Sequence, residues 1–222
     1  MDQSDSAGGP RRKLVDSKQR WARDGRLLTG QAGDPARDRL PPGQHEVAKW
    51  PVLDLGIEPS FAPGGWSLAI DGLVEQPVTL DFGGFEVLPL VDSRSDIHCV
   101  TGWSRFDNRW RGVASRTIIE QVRPSEAARF VIAHSHDGYT TNLSLADFAG
   151  DDVMIAAAWD GKPLDREHGG PVRLVVPRLY FWKSAKWLRR LEFTAADRPG
   201  FWEVRGYHNR GDPWAEQRYS GD

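Results

Sequence analysis

Cys99 is the only thiol in a chain of 222 residues, and three kinds of chemistry are open to it. It can be a small buried apolar group with nothing to react with. It can be a nucleophile, provided a base such as His98 or His168 reaches it. It can also be a soft ligand to a soft or high-valent metal, needing few other protein donors if a cofactor completes the shell. On a strand, adjacent side chains point to opposite faces, so His98 is a poor base for Cys99. A single cysteine excludes an internal disulfide framework and any all-cysteine metal site.

Other residues of chemical interest fall into three groups. His134 and His136 flank Ser135; on a strand their imidazoles share a face, a spacing that can bind zinc. Zinc needs a third or fourth ligand, and the remaining histidines show no ligand spacing; the alternative is a strand end whose histidines find backbone partners. Residues 168–177 read HGGPVRLVVP. Two glycines let backbone approach a ligand closely, and Arg173 opens a strand facing whatever lies above it, unless this is a Gly-Pro turn with a solvated arginine. Residues 180–187 read YFWKSAKW, two lysines and a serine among four aromatics. Cations between aromatic walls suit a buried anion such as a phosphate; equally, such lysines can snorkel from a strand edge.

The elements that must position these groups are mainly strands. Trp66, Leu68 and Ile70 alternate with polar or small neighbours up to Gly72, predicting a half-buried strand. Ser95, Ile97 and Cys99 share one strand face, so a buried Ile97 implies a buried Cys99. Ile118, Ile119 and Val122 predict a helix over 117–122, stopped by Pro124. Residues 128–134 alternate again, Asp137-Gly138 turns the chain into a second strand, and Ser144 with Asp147 forms a capping box for a short helix closed by Gly150. Strands follow over 153–159, turning at Asp160-Gly161, then over 173–177 and 187–193. The pattern is α+β and strand-rich, without the βαβ rhythm of a doubly wound nucleotide fold.

Bulk properties narrow the function. Apolar residues make up 39% of the chain, enough for a core, and the net charge of −2 gives no pull toward nucleic acid or anionic membrane. No run approaches the roughly 18 apolar residues of a spanning helix. Ten tryptophans, 23 glycines and 15 prolines describe a turn-rich chain packed on large aromatics. Residues 1–40 are charged and poor in branched apolars, which predicts a flexible or draped tail before a domain over 41–222. Arg11, Arg12 and Lys13 have no apolar run behind them, so a cytoplasmic location is expected.

Five strings in order, WSLAIDGLV (66–74), DIHCVTGW (96–103), NRWRG (108–112), HGGPVRLVVP (168–177) and KSAKW (183–187), resemble the molybdopterin-binding domain of the sulfite oxidase family. The resemblance runs from about residue 40 to residue 219 and is closer still to the family's small bacterial members. It implies the family's strand-rich mixed fold and a molybdenum–molybdopterin cofactor, with Cys99 as the protein thiolate on the metal. It also implies that His168 and Arg173 hold the pterin and its phosphate, and that Ser184, Ala185 and Lys186 close over the phosphate. Ser135 falls at a polar pterin contact, and Gln44-His45 falls where relatives carry Asn or Asn-His. The implied activity is two-electron oxygen-atom transfer on a small sulfur- or nitrogen-containing substrate.

Sulfite-oxidising members carry an arginine shortly after the metal cysteine. Here the first one is Arg105, so Arg105 or Arg109 fills that role from a shifted position, or the substrate is not sulfite. Trp103 and Tyr207 suggest a more neutral mouth, suited to a sulfoxide or another small oxide. With no haem motif and no iron–sulfur cysteine set, electrons must pass through a separate redox protein or soluble carrier. Two other readings are a cysteine-dependent hydrolase using Cys99 and a cofactor-binding module without turnover.

Overall fold

The computed structural model describes residues 39–61 and 64–222, together with Asp16. The tail expected over residues 1–40 therefore lies, up to residue 38 and apart from Asp16, outside the described residues. Two sheets organise the rest. The first contains β1 (His45–Glu46), β4 (Leu90–His98), β5 (Trp103–Ala114), β8 (Met154–Trp159), β9 (Lys162–Pro163) and β10 (Arg173–Val175). The second runs in the order β3 (Val78–Asp81), β2 (Ser67–Gly72), β11 (Leu188–Thr194), β6 (Phe130–Ser135) and β7 (Thr140–Ser144). Within residues 64–222, three short α-helices sit in connections: α1 (Phe82–Glu86), α2 (Ser115–Val122) and α3 (Leu145–Phe148).

Local chemistry explains most boundaries. Ser144 caps α3 by accepting from the Asp147 N–H, as the capping box predicts. Helix α2 ends where Arg123 turns left-handed just before Pro124. Inward residues of both sheets, among them Leu68, Ile70, Val131 and Leu191 on one side and Val113, Ile155 and Leu174 on the other, belong to one apolar core.

The longest strand was not anticipated. β5 serves as the spine of the first sheet: β4 lies antiparallel along one edge, while β1 and β8 share the other. Its centre alternates strictly, with Asn108, Trp110 and Gly112 buried and Arg109 and Arg111 exposed, a period-two signal masked by its arginines. Cys99 also departs from expectation, because β4 ends at His98. The thiol sits instead on a tight β4–β5 turn, closed by hydrogen bonds from Cys99 N to Trp103 O (2.8 Å) and Gly102 N to Cys99 O (2.9 Å). Ile97 and Cys99 are nonetheless both buried.

Gly112 marks where β5 and β8 slip register. A Cβ there would lie 2.0 Å from the Ile155 carbonyl oxygen and 2.7 Å from Ala156 Cα. Gly112→Ala is therefore expected to destabilise the fold by roughly 3 kcal/mol in urea unfolding. Gly83→Ala, whose nearest neighbour would be a side-chain oxygen at 3.6 Å, should leave stability almost unchanged.

Candidate active site

The cavity that matters opens between the two sheets, and each wall comes from a different element. The β4–β5 turn supplies Cys99 and Thr101; the end of β6 supplies Ser135; β10 and the loop into β11 supply Arg173, Ser184 and Lys186. The turn that carries the thiol is held from behind. Gln44 donates from Nε2 to the Cys99 carbonyl at 3.0 Å and accepts from Ser104 Oγ at 3.2 Å. His45 pairs with Gly102 through both its backbone N–H (3.0 Å) and its ring Nδ1 (2.5 Å). Gln44 and His45 thus brace the thiol's backbone without lining the cavity. Cys99 Sγ lies 3.2 Å from Thr101 Oγ1, while His98 turns its Nδ1 to Ser104 Oγ at 2.8 Å.

Arg173 is the least ordinary group in the molecule. It is 2% exposed, yet its guanidinium donates only to carbonyls: His168 O at 2.7 Å, Ser184 O at 2.8 Å and, more weakly, Leu174 O at 3.4 Å. Its cation lies 4.4 Å from the centre of the Phe181 ring and 5.2 Å from that of Trp50. Among the described residues no carboxylate pairs with it. Burial alone drives its pKa down to about 9. His168 stacks flat on Trp50, with centroids 4.0 Å apart. Burial first, then Arg173, lowers the His168 pKa to about 4, so its ring is neutral near pH 7.

The loop after β10 folds back against Arg173. Ser184 Oγ accepts from Val176 N, Leu174 N donates to Ala185 O, and Trp187 N donates to Gly169 O. Ala185 thus acts through its backbone. Gly169 holds a positive φ and its missing Cβ would meet Lys186 Cβ at 2.9 Å, so only glycine lets the lysine pass this close. Lys186 Nζ donates to Glu167 O at 2.6 Å and lies 4.3 Å above the Trp187 ring. Two polar atoms of cavity-lining residues, Ser135 Oγ and Trp103 Nε1, are buried without a protein partner, the condition expected of groups awaiting a ligand.

On the remaining side the walls are aromatic. Tyr207 packs edge-on against Trp182 at 5.1 Å and tilts against Trp202 at 4.9 Å. Burial, reinforced by Tyr219 and Cys99, holds the Tyr207 phenol protonated well past its usual range.

Seven of the expected site residues thus converge: Cys99, Ser135, His168, Arg173, Ser184, Lys186 and Tyr207. Arg105 and Arg109 do not join them. Arg105 is drawn onto Asn108 and Asp160 and lies over the Trp159 ring. Arg109 is mostly exposed beside Asp160 and lines a different hollow, with Asp92 and Arg111. The histidines that might have held zinc are separately engaged: His134 with Glu192 at 3.0 Å, His136 edge-on against Phe61. Sequence reasoning missed residues 50–55, which cover the cavity and place Trp50 on both His168 and Arg173. The one available signal was an apolar run, WPVLDL, lying outside any strand pattern.

Residues 55–202 match the family model described as an oxidoreductase molybdopterin binding domain. The chain is 49% identical over 185 residues to the uncharacterized oxidoreductase YuiH of Bacillus subtilis, covering 83% of this chain and 93% of that one. It is 27% identical over 172 residues to the protein-methionine-sulfoxide reductase catalytic subunit MsrP of Campylobacter jejuni, covering 67% of this chain and 56% of that one. A putative subunit of a reductase of the same name, YedZ1 of Azospira oryzae, is 28% identical over 141 residues, 64% of this chain and 53% of its own. The chain therefore spans about half the length of these two reductase relatives. Among solved structures, the sulfane dehydrogenase SoxCD from Paracoccus pantotrophus aligns with a TM-score of 0.57 at 21% identity, over 63% of this chain and 40% of that one. That likeness speaks for the fold alone. With its strand-rich two-sheet architecture and a family match spanning most of its length, the chain belongs to the molybdopterin-binding oxidoreductases and is an enzyme of that family, binding the molybdenum cofactor.

Proposed function

We propose that this enzyme reduces a small sulfoxide or related S- or N-oxide, taking electrons from a separate redox protein or soluble carrier. The observation that carries this reading is the charge of the cavity. The cations lining it are Arg173 and Lys186, which the cofactor's phosphate would engage. An anionic substrate such as sulfite would find no further cation beside Cys99 among the described lining residues, because Arg105 is committed to Asp160. The aromatic mouth suits an uncharged oxide, and the similarity to the methionine-sulfoxide reductase subunits MsrP and YedZ1 supports the same reading.

The residues fit the group that the family binds. A thiolate suits a high-valent metal, so Cys99 would hold molybdenum. A buried guanidinium without a carboxylate would receive the cofactor's phosphate, together with Ser184, the backbone of Ala185 and Lys186. His168, neutral and stacked on Trp50, and Ser135, with its unpartnered hydroxyl, would bind the pterin. When bound, the cofactor supplies a metal centre that exchanges two electrons and an oxygen atom. Converting a sulfoxide to a thioether consumes two electrons and two protons and releases water. Tyr207 would hold one of those protons at its phenolic oxygen, and the surrounding indoles would keep bulk water out.

The chain, produced in a host that makes the cofactor, should oxidise reduced benzyl viologen when given dimethyl sulfoxide or methionine sulfoxide. Sulfite with ferricyanide should give background rates. Turnover of sulfite but of no S- or N-oxide would overturn the reading. Cys99→Ser should retain the pterin, since the phosphate grip lies elsewhere, yet lose turnover entirely; unimpaired activity would contradict the ligand role. Arg173→Ala should lower pterin content in the purified protein, because truncating one partner of a buried charged contact costs roughly 2–5 kcal/mol. Full occupancy in that variant would place the phosphate elsewhere.

A further inference from the structure

Directly behind the aromatic wall lies a second buried cation, and this one is neutralised. Lys183 and Glu203 face each other at 2.6 Å with side chains 0% and 1% exposed. Each is the immediate chain neighbour of cavity-lining residues: Lys183 sits between Trp182 and Ser184, and Glu203 follows Trp202. Both occupy single 3-10 turns, Phe181–Lys183 and Glu203–Arg205, which turn the ion pair away from the cavity while their neighbours point into it.

The hydrogen bonds are lopsided. Glu203 Oε1 accepts from Lys183 Nζ, from Trp182 Nε1 at 2.9 Å and from Thr141 Oγ1 at 2.9 Å. Glu203 Oε2 is buried without a partner. Lys183 Nζ is fully occupied by Asn142 O, Asn142 Oδ1 and Asn209 O in addition to the carboxylate. A pair this deep is poor value as a stabiliser, since desolvation offsets most of its attraction. What it does achieve is direction: a single oxygen fixes the edge of the Trp182 indole. That indole is stacked on Tyr180 at 5.3 Å and meets Tyr207 edge-on at 5.1 Å. The Tyr139 hydroxyl, donating to Trp182 O at 2.5 Å, fixes the backbone of the same residue.

We propose that Glu203, oriented by Lys183, is a positioning residue for the substrate side of the cavity, acting through the Trp182 indole on Tyr207. The pair ties the loop that bears Ser184 and Lys186 to the turn that bears Trp202, so the cofactor end and the mouth of the cavity keep a fixed relation. The proposal rests on the reading of this cavity as the cofactor and substrate site.

The test separates positioning from mere stability with two substitutions at one position. Glu203→Gln and Glu203→Ala both remove the charge opposite Lys183, so both should lower the melting temperature. Only glutamine keeps an accepting oxygen, which will settle where three donors converge. In the holoenzyme, with dimethyl sulfoxide and reduced benzyl viologen, Glu203→Ala should raise KM on the order of tenfold. Glu203→Gln should stay within about twofold of the parent, and kcat should change less than KM in both. Trp182→Phe, which keeps a ring but loses the N–H, should follow the alanine variant. A readout independent of turnover uses protein labelled with 5-fluorotryptophan. The Trp182 fluorine resonance, assigned by its loss in Trp182→Phe, should broaden or shift in Glu203→Ala and stay close to the parent in Glu203→Gln. Equal KM changes in the two Glu203 variants, or an unmoved Trp182 resonance in Glu203→Ala, would overturn the proposal. Absence of sulfoxide turnover in the parent would instead count against the substrate reading, and the fluorine spectra would still decide the positioning role.

Discussion

A guanidinium buried in a protein without a carboxylate is costly, and the structure around Arg173 is arranged to bear that cost until an anion arrives. Carbonyl oxygens of His168 and Ser184 and two aromatic faces take up part of the charge, but carbonyl dipoles and ring quadrupoles do not neutralise it. The depressed pKa expresses the deficit. A phosphate meets the need better than a carboxylate from the chain would, because a resident carboxylate would compete with the ligand for the same donors. The position of this one charge then dictates much else. The loop from β10 must fold back so that Ser184, Ala185 and Lys186 surround it, Gly169 must lack a side chain for Lys186 to pass, and residues 50–55 must cover it.

The two sheets make such a site possible because neither could do so alone. The first sheet contributes the thiol at a hairpin turn and the arginine at a short strand; the second contributes Ser135 at a strand end. A cavity formed between strand ends and turns leaves the interior of both sheets free to pack as one core, so the polar groups of the site do not have to be accommodated within it. The turn location of Cys99 has a chemical use as well. A side chain on a strand interior packs against cross-strand neighbours, whereas a hairpin turn, braced by Gln44 and His45 through its backbone, offers its sulfur to an open space. A metal ligand needs that opening, and it needs the backbone behind it held still.

How much of this was legible in the chain follows from the kind of signal each part leaves. Period-two alternation marks strands packed on one face, so β2, β6 and β8 were readable, and the Ser144 capping box was readable because its chemistry is local. β5 was not, because its exposed positions carry arginines and its buried ones include Asn108 and Gly112, which a hydrophobic pattern does not count. Cys99 was placed on the right side of the molecule but on the wrong element, since the last residue of a strand and the first of a turn share the same alternation. The convergence of Cys99, His168, Arg173, Ser184 and Lys186 came from recognising strings in order, and that of Ser135 from the family resemblance those strings carry, not from spacing. Arg105 shows the limit of that approach: proximity in sequence to the thiol suggested a substrate contact, while Asp160, 55 residues further along, decided the matter in three dimensions. Trp50 left only the largely apolar run around it, because an aromatic in an irregular segment has no period to betray it.

Arg173 and Lys183 are ten residues apart, both buried, and treated in opposite ways. Lys183 is given Glu203 and three further acceptors from Asn142 and Asn209; Arg173 is given only carbonyls and rings. The difference sorts two functions that a count of buried charges would merge. A cation satisfied by the chain has no affinity left for a ligand and can serve only to hold its neighbours in place, here the indole of Trp182. A cation left short of negative charge is held in place by its neighbours and retains its affinity for something that diffuses in. The same physical expense, removing a positive charge from water, is met internally at one site and externally at the other. The aromatic wall between them is where the two meet: Trp182 is anchored on one side by the satisfied pair and lines, on the other, the cavity of the unsatisfied one.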